Sequence, residues 1–229
     1  MKKTTLDTWL VNGNITIFCG SHTDSFKKDI LASSLLGELV AEKKSKNREV
    51  SWPTYTDTVQ KIGWTVNSRA NQQLEFENSN LLNIVEQSAG SALPQDERQA
   101  LANALAQLVN LQSDSPAIRT IVEKLQRNAT VSNTTTDILV STAVLLTIIR
   151  NDKTVVTLQV AFETAQEIAI DILDQPVLNT TNEHKTNVWL MSTLLDGRQY
   201  NRVRDDVLKK LGKRMETELL QIHAPTGLS

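Results

Sequence analysis

Cys19 and His22 stand three positions apart in "CGSH", and their types are those of a nucleophile pair or of half a metal site. A thiol becomes a nucleophile when an imidazole takes its proton and a third group orients that imidazole, whereas zinc needs further ligands. The chain has one cysteine and three histidines, so His184 and His223 remain to complete such a site, and neither sits in a ligand motif. Cys19 follows the apolar run "ITIF". The simpler reading makes it a small apolar core residue, and the alternative is a reactive or acylated thiol.

Other residues with chemical potential read the same way. Glu75 and Glu77 alternate with Leu74 and Phe76, as exposed positions of a strand do; paired catalytic carboxylates are the alternative. Asp205 and Asp206 precede Lys209 and Lys210 at helical spacing, the pattern of a solvated salt-bridge face. Asn-x-Ser/Thr triplets at Asn14, Asn128, Asn133 and Asn179 arise readily in so Thr-rich a chain. No Walker loop, GxGxxG, HExxH, GxSxG or CxxC is present. The residues therefore assign no catalytic, cofactor-binding or metal site, and no catalytic mechanism follows from them.

The elements that must position these residues follow from periodicity. Phe26, Ile30, Leu35 and Leu39 repeat at helical spacing after Asp24, a candidate N-cap. Ser51 and Pro53 open a second predicted helix that runs through Ile62, and Gly63 ends it. Trp64-Thr65-Val66 then begins a strand, either a long edge strand or a hairpin-like excursion. Pro94 and Pro116 suit first helical turns, and the middle of the chain reads as an αα-hairpin with a short helix before it.

After "NATVSNTTTD" the period changes to two. Val140, Val144, Leu146 and Ile148, then Val156, Leu158, Val160 and Phe162, fall on alternate positions around a turn at Arg150–Lys153. "QEIAIDILDQP" and "TNVWLMSTLL" read as two further strands of a meander. Tyr200, Val203, Val207, Leu208, Leu211, Met215, Leu219 and Ile222 form one helical stripe. The expected fold is a single α+β domain over residues 1–229, with a helical portion over about 24–128, an antiparallel β-meander over about 137–195 and a long C-terminal helix over about 198–222 covering the sheet.

Composition narrows the partners. With 24 Lys+Arg against 26 Asp+Glu, the net charge of −2 gives no global attraction to nucleic acid or an anionic membrane. Aromatics make up 4% of residues, so Leu, Ile, Val and Ala must build the core. Asn12, Gly13 and Asn14 interrupt the apolar start, which is not the pattern of a Sec signal peptide, and a soluble protein is expected. The hairpin over Thr136–Phe162, with one apolar and one Ser/Thr-bearing face, fits either a strand pair of a multimeric membrane barrel or a sheet covered by helices; the covered sheet is the preferred reading.

"SHTDSFKKDILASSLLGELVAEKKSK", followed by Trp52, Tyr55 and "VQKIGWTV", resembles the Evf-type virulence-factor family of insect-associated bacteria, and the resemblance extends more weakly to "YNRVRDDVLKKLG". It implies a compact α+β protein that acts on host cells as a virulence factor or insecticidal toxin, with a host-cell surface or membrane as partner, no cofactor, and release by a non-Sec route or by lysis. The family picture includes a fatty-acylated cysteine in the second half of the chain. Cys19 lies near the start, so acylation is not carried over. The alternatives from other classes are a small-molecule enzyme with a site between helices and sheet, and a self-associating structural protein.

Overall fold

The computed structural model describes residues 6–75, 81–90, 93–111, 114–133, 138–164, 168 and 185–222. The chain opens with an antiparallel hairpin, β1 (Leu6–Val11) and β2 (Asn14–Cys19). Asn12 and Gly13 both take positive φ, 50° and 81°, the mirror-image turn whose twist matches that of two strands joined by two residues. The residues that break the apolar start are thus a turn.

Thr23, not Asp24, caps α1 (Asp24–Lys44) by accepting from Phe26 N; Asp24 is left as an acid in the first turn, where the helix dipole favours it. Asn47 caps α2 (Arg48–Lys61), which therefore begins before Ser51 and holds Pro53 inside it. Gly63 follows the C-cap at φ 111° and turns the chain into β3 (Trp64–Glu75), which is the long edge strand of the two alternatives and not a hairpin-like excursion.

Helices α3 (Leu81–Gly90), α4 (Gln95–Val109) and α5 (Pro116–Arg127) come next, the last with Ser115 as N-cap and Pro116 at its first position. Then come β4 (Thr130–Asn133), β5 (Ile138–Ile149), β6 (Val155–Thr164) and β7 (Lys185–Leu195). The stretch "QEIAIDILDQP" lies outside the described residues, Ile168 excepted. The sheet order is β3-β7-β6-β5-β2-β1-β8, with β4 beside the first part of β5. All pairings are antiparallel except β2 with β5.

The long C-terminal helix is replaced by α6 (Gly197–Asn201), α7 (Arg204–Leu211), α8 (Arg214–Thr217) and β8 (Leu219–Ile222). Gly212, at φ 52°, ends α7, and β8 pairs with β1. The apolar stripe still packs inward: Tyr200, Val207 and Leu211 are buried and Val203, Leu208, Met215 and Leu219 are partly covered.

The fold is α+β, with helices on both faces of one mixed sheet. Val144, Leu146, Ile148, Val156, Leu158 and Val160 meet α3, α4 and α5 in one core. Leu145, Ile149, Val155 and Met191 meet α1, α2, α6 and α7 in the other. The two cores use alternate positions of the same strands, as a pleat requires. The preferred reading of the hairpin as a covered sheet holds, with cover on both faces.

Candidate functional site

Cys19 ends β2 with none of its surface exposed, inside the core beneath α3–α5. Burial, and then the nearby charges of Glu97 and Asp96, push its thiol up to about 12, so it is not a thiolate at neutral pH. His22 Nε2 donates to the Cys19 carbonyl oxygen at 2.9 Å rather than facing the sulfur, and its ring lies against Phe18 and Phe26. The pair is adjacent without being a nucleophile and its base. The lipidation reading of Cys19 would require this core to open.

His184, His223, Glu77 and Asn179 lie outside the described residues; Glu75 is on β3. Asp205, Asp206, Lys209 and Lys210 are exposed, as their spacing predicts. Asn14 and Asn128 are each 3% exposed and closed to glycosylation. Among the described residues no group of His, Cys, Asp and Glu is placed to hold a metal.

The polar centre that the structure does assemble was not visible as a motif. Glu38 of α1 is buried and accepts from Arg48 Nη1 of α2 at 2.7 Å. On its other oxygen it faces Lys124 Nζ of α5 at 3.5 Å, and Lys124 also contacts Glu42. Arg48 further donates to Asn14 Oδ1 of β2, and Gln159 Nε2 of β6 donates to the Arg48 carbonyl at 3.2 Å. Five elements thus meet at one buried cluster of charges. Burial alone would raise the Glu38 carboxyl, but the charges of Arg48 and Lys124, with hydrogen bonds from Arg48 and Asn14, hold it below its ordinary range. Burial likewise lowers Lys124 against the pull of Glu38 and Glu42. A closed, paired set of this kind holds elements in register and offers no free acid or base.

Directly outside the cluster lies an open cleft of about 320 Å³ between the C-terminal ends of α1 and α5 and the start of α8. Lys43, Lys46, Arg127 and Arg214 line it together with Glu42, Glu218 and Asn12. Glu42 is engaged by Lys124 and stands 3.8 Å from Arg127. Asn12, 3% exposed, donates its backbone N–H to the Glu218 carbonyl at 2.7 Å, while its side-chain Nδ2 has no acceptor among the described residues. The one sequence signal for this region is Glu38 itself, seven residues after Leu31 and three after Leu35 on the buried stripe of α1. A carboxylate at such a position must find cations.

No family model matches the chain, and no curated protein matches it. Among solved structures, the chain is similar to the activated Cyt2Ba monomer of Bacillus thuringiensis subsp. israelensis, with a TM-score of 0.46 and 13% identity over 81% of this chain and 98% of that one. It is also similar to the Evf virulence factor, with a TM-score of 0.37 and 10% identity over 95% of this chain and 85% of that one. The relationship is distant and structural.

Proposed function

We propose that this chain is a toxin-like or virulence-like protein that acts on the surface or membrane of a host cell by physical engagement and not by turning over a substrate. The observation that carries this reading is the make-up of the β3-β7-β6-β5 meander. Its strands run 12, 11, 10 and 12 residues, the length that crosses a bilayer when tilted. One face of β5 and β6 is aliphatic, through Val144, Leu146, Ile148, Val156, Leu158 and Val160. The other carries Thr147, Thr157 and Gln159 among its apolar residues, with Thr193 on β7. Alternation of this kind suits lipid on one side and a polar lumen on the other. In the folded chain both faces are covered, and Thr157 Oγ1 and Gln159 Oε1 are buried with no partner among the described residues. No helix among the described residues is long and apolar enough to cross a membrane, which leaves the strands as the candidate membrane elements.

The host-directed part is supported by the resemblance of residues 21–46 and of "IGW" to the Evf-type family. Because helices cover the sheet, the folded monomer is expected to bind neutral vesicles weakly and to release no entrapped dye. On insect midgut cells or in fed larvae, folded protein is expected to damage the epithelium, and a heat-unfolded control is not. Intact epithelium at high dose, with folding verified by circular dichroism, would sink the proposal.

A further inference from the structure

We infer that the cleft between the ends of α1 and α5 and the start of α8 is a binding site for a phosphate-class oxyanion. Four cations, Lys43, Lys46, Arg127 and Arg214, line it against two carboxylates, Glu42 and Glu218, in a chain whose net charge is −2. The Glu42 carboxylate is already taken up by Lys124 from below. Lys43 and Arg127 lie in the last turns of their helices, where they also complement the helix dipole. Lys46 lies beyond the end of α1, Arg214 sits on the single-turn α8, and neither forms an ion pair among the described residues.

Asn12 supplies the independent sign of a ligand. It lines the cleft from the tip of the β1–β2 turn, is buried, and has an amide donor without an acceptor among the described residues. Buried donors are ordinarily matched, because an unmatched one costs the full loss of its hydration. An oxyanion seated at the cleft floor provides the missing acceptor once the Asn12 amide turns toward it. The cations come from α1, the segment just after it, α5 and α8, so a phosphate with three or four oxygens can be met from several sides at once. A volume of about 320 Å³ accommodates a phosphate monoester with a small organic group. That chemistry is shared by free phosphate esters and by lipid headgroups bearing a terminal phosphate. The inference does not rest on host toxicity, since binding is read in solution without a target cell.

The test is calorimetric titration of the full chain with inorganic phosphate, against sodium chloride of equal ionic strength. Saturable one-to-one binding is expected. Asn12→Asp keeps a residue that tolerates the left-handed turn but replaces the donor with a repelling carboxylate, and Arg214→Gln alters an exposed side chain. Each should weaken binding about tenfold or more, while Lys28→Gln, exposed on α1 away from the cleft, should not. Co-sedimentation with phosphatidylcholine vesicles, with and without phosphatidate, then separates the two sources. Recruitment by phosphatidate that Arg214→Gln abolishes assigns a lipid headgroup, and phosphate binding without recruitment assigns a free ester. Absence of saturable phosphate binding, or binding that neither Asn12→Asp nor Arg214→Gln weakens, overturns the inference.

Discussion

The indole Nε1 of Trp64 donates to Ser33 Oγ at 3.0 Å, tying the first residue of the edge strand β3 to the middle of α1. Trp64 is 2% exposed and Ser33 is fully buried, so neither group has water as a substitute partner. Ser33→Ala should cost about 1–3 kcal/mol, the penalty for a buried donor left unmatched. Denaturant unfolding followed by tryptophan emission measures it, and an unchanged midpoint would show that the bond contributes nothing.

Gly63→Val should be damaging, because Gly63 is buried as well as left-handed. The residue holds φ 111°, and an added Cβ would meet the Tyr200 backbone nitrogen at 3.0 Å. A β-branched residue pays about 1–2 kcal/mol for that conformation before any clash. For a chain of this size, a fall in melting temperature of about 3 °C or more is expected. A variant melting with the parent would remove Gly63 as a required left-handed helix stop.

The Glu38–Arg48 pair gives a mutational prediction of unequal sizes. Arg48→Met leaves a buried carboxylate short of its nearest cation and should cost about 3–5 kcal/mol. Adding Glu38→Leu should recover part of that loss, since Lys124 keeps Glu42 as its partner. Chemical denaturation of the single and double variants decides it: a double variant less stable than Arg48→Met would show that Glu38 has a role apart from pairing.

The same carboxyl predicts an acid dependence. Its folded value lies below the ordinary glutamate range, because Arg48 and Lys124 outweigh the effect of burial. Its contribution to stability is therefore complete above the unfolded glutamate value, near pH 4.3, and is lost as the pH falls through the lower folded value. Glu38→Gln should flatten the decline in melting temperature below about pH 4.5, whereas an identical decline in parent and variant would place the acid sensitivity elsewhere.

Cys19 should resist aqueous thiol reagents in the folded chain and react stoichiometrically once unfolded. Its sulfur is fully buried and its thiol raised to about 12. Fast labelling by 5,5′-dithiobis(2-nitrobenzoate) under native conditions would show that the core around β2 opens.

What the sequence made legible follows from local chemistry. Gly63 reads as a helix stop, the alternation around Arg150–Lys153 reads as a hairpin, and both stand in the structure because each is decided within a few residues. Asn12-Gly13 is a strong hairpin signal, but the same dipeptide also breaks the apolar start, and only the pairing of Leu6–Val11 with Asn14–Cys19 makes it a turn. The C-terminal stripe runs through several elements because apolar spacing reports burial, while Gly212 sets the break. The parallel pairing of β2 with β5, the meeting of Glu38 with Arg48 and Lys124, and the basic cleft depend on contacts between distant segments, which no local period encodes.

The pairing of Thr8 with Ile222 and of Ile15 with Leu146 sets when this protein becomes whole during synthesis. The β1–β2 hairpin is made before its sheet neighbours, and β2 waits for β5 and β1 waits for β8 before either outer edge is filled. The β2 edge therefore stays open until β5 is made and the β1 edge until β8 is made, and such edges recruit other nascent chains as readily as their own late partners. Contacts so distant in sequence also form slowly. The producing cell consequently has a long interval in which chaperones or an export apparatus meet the chain before its sheet is complete.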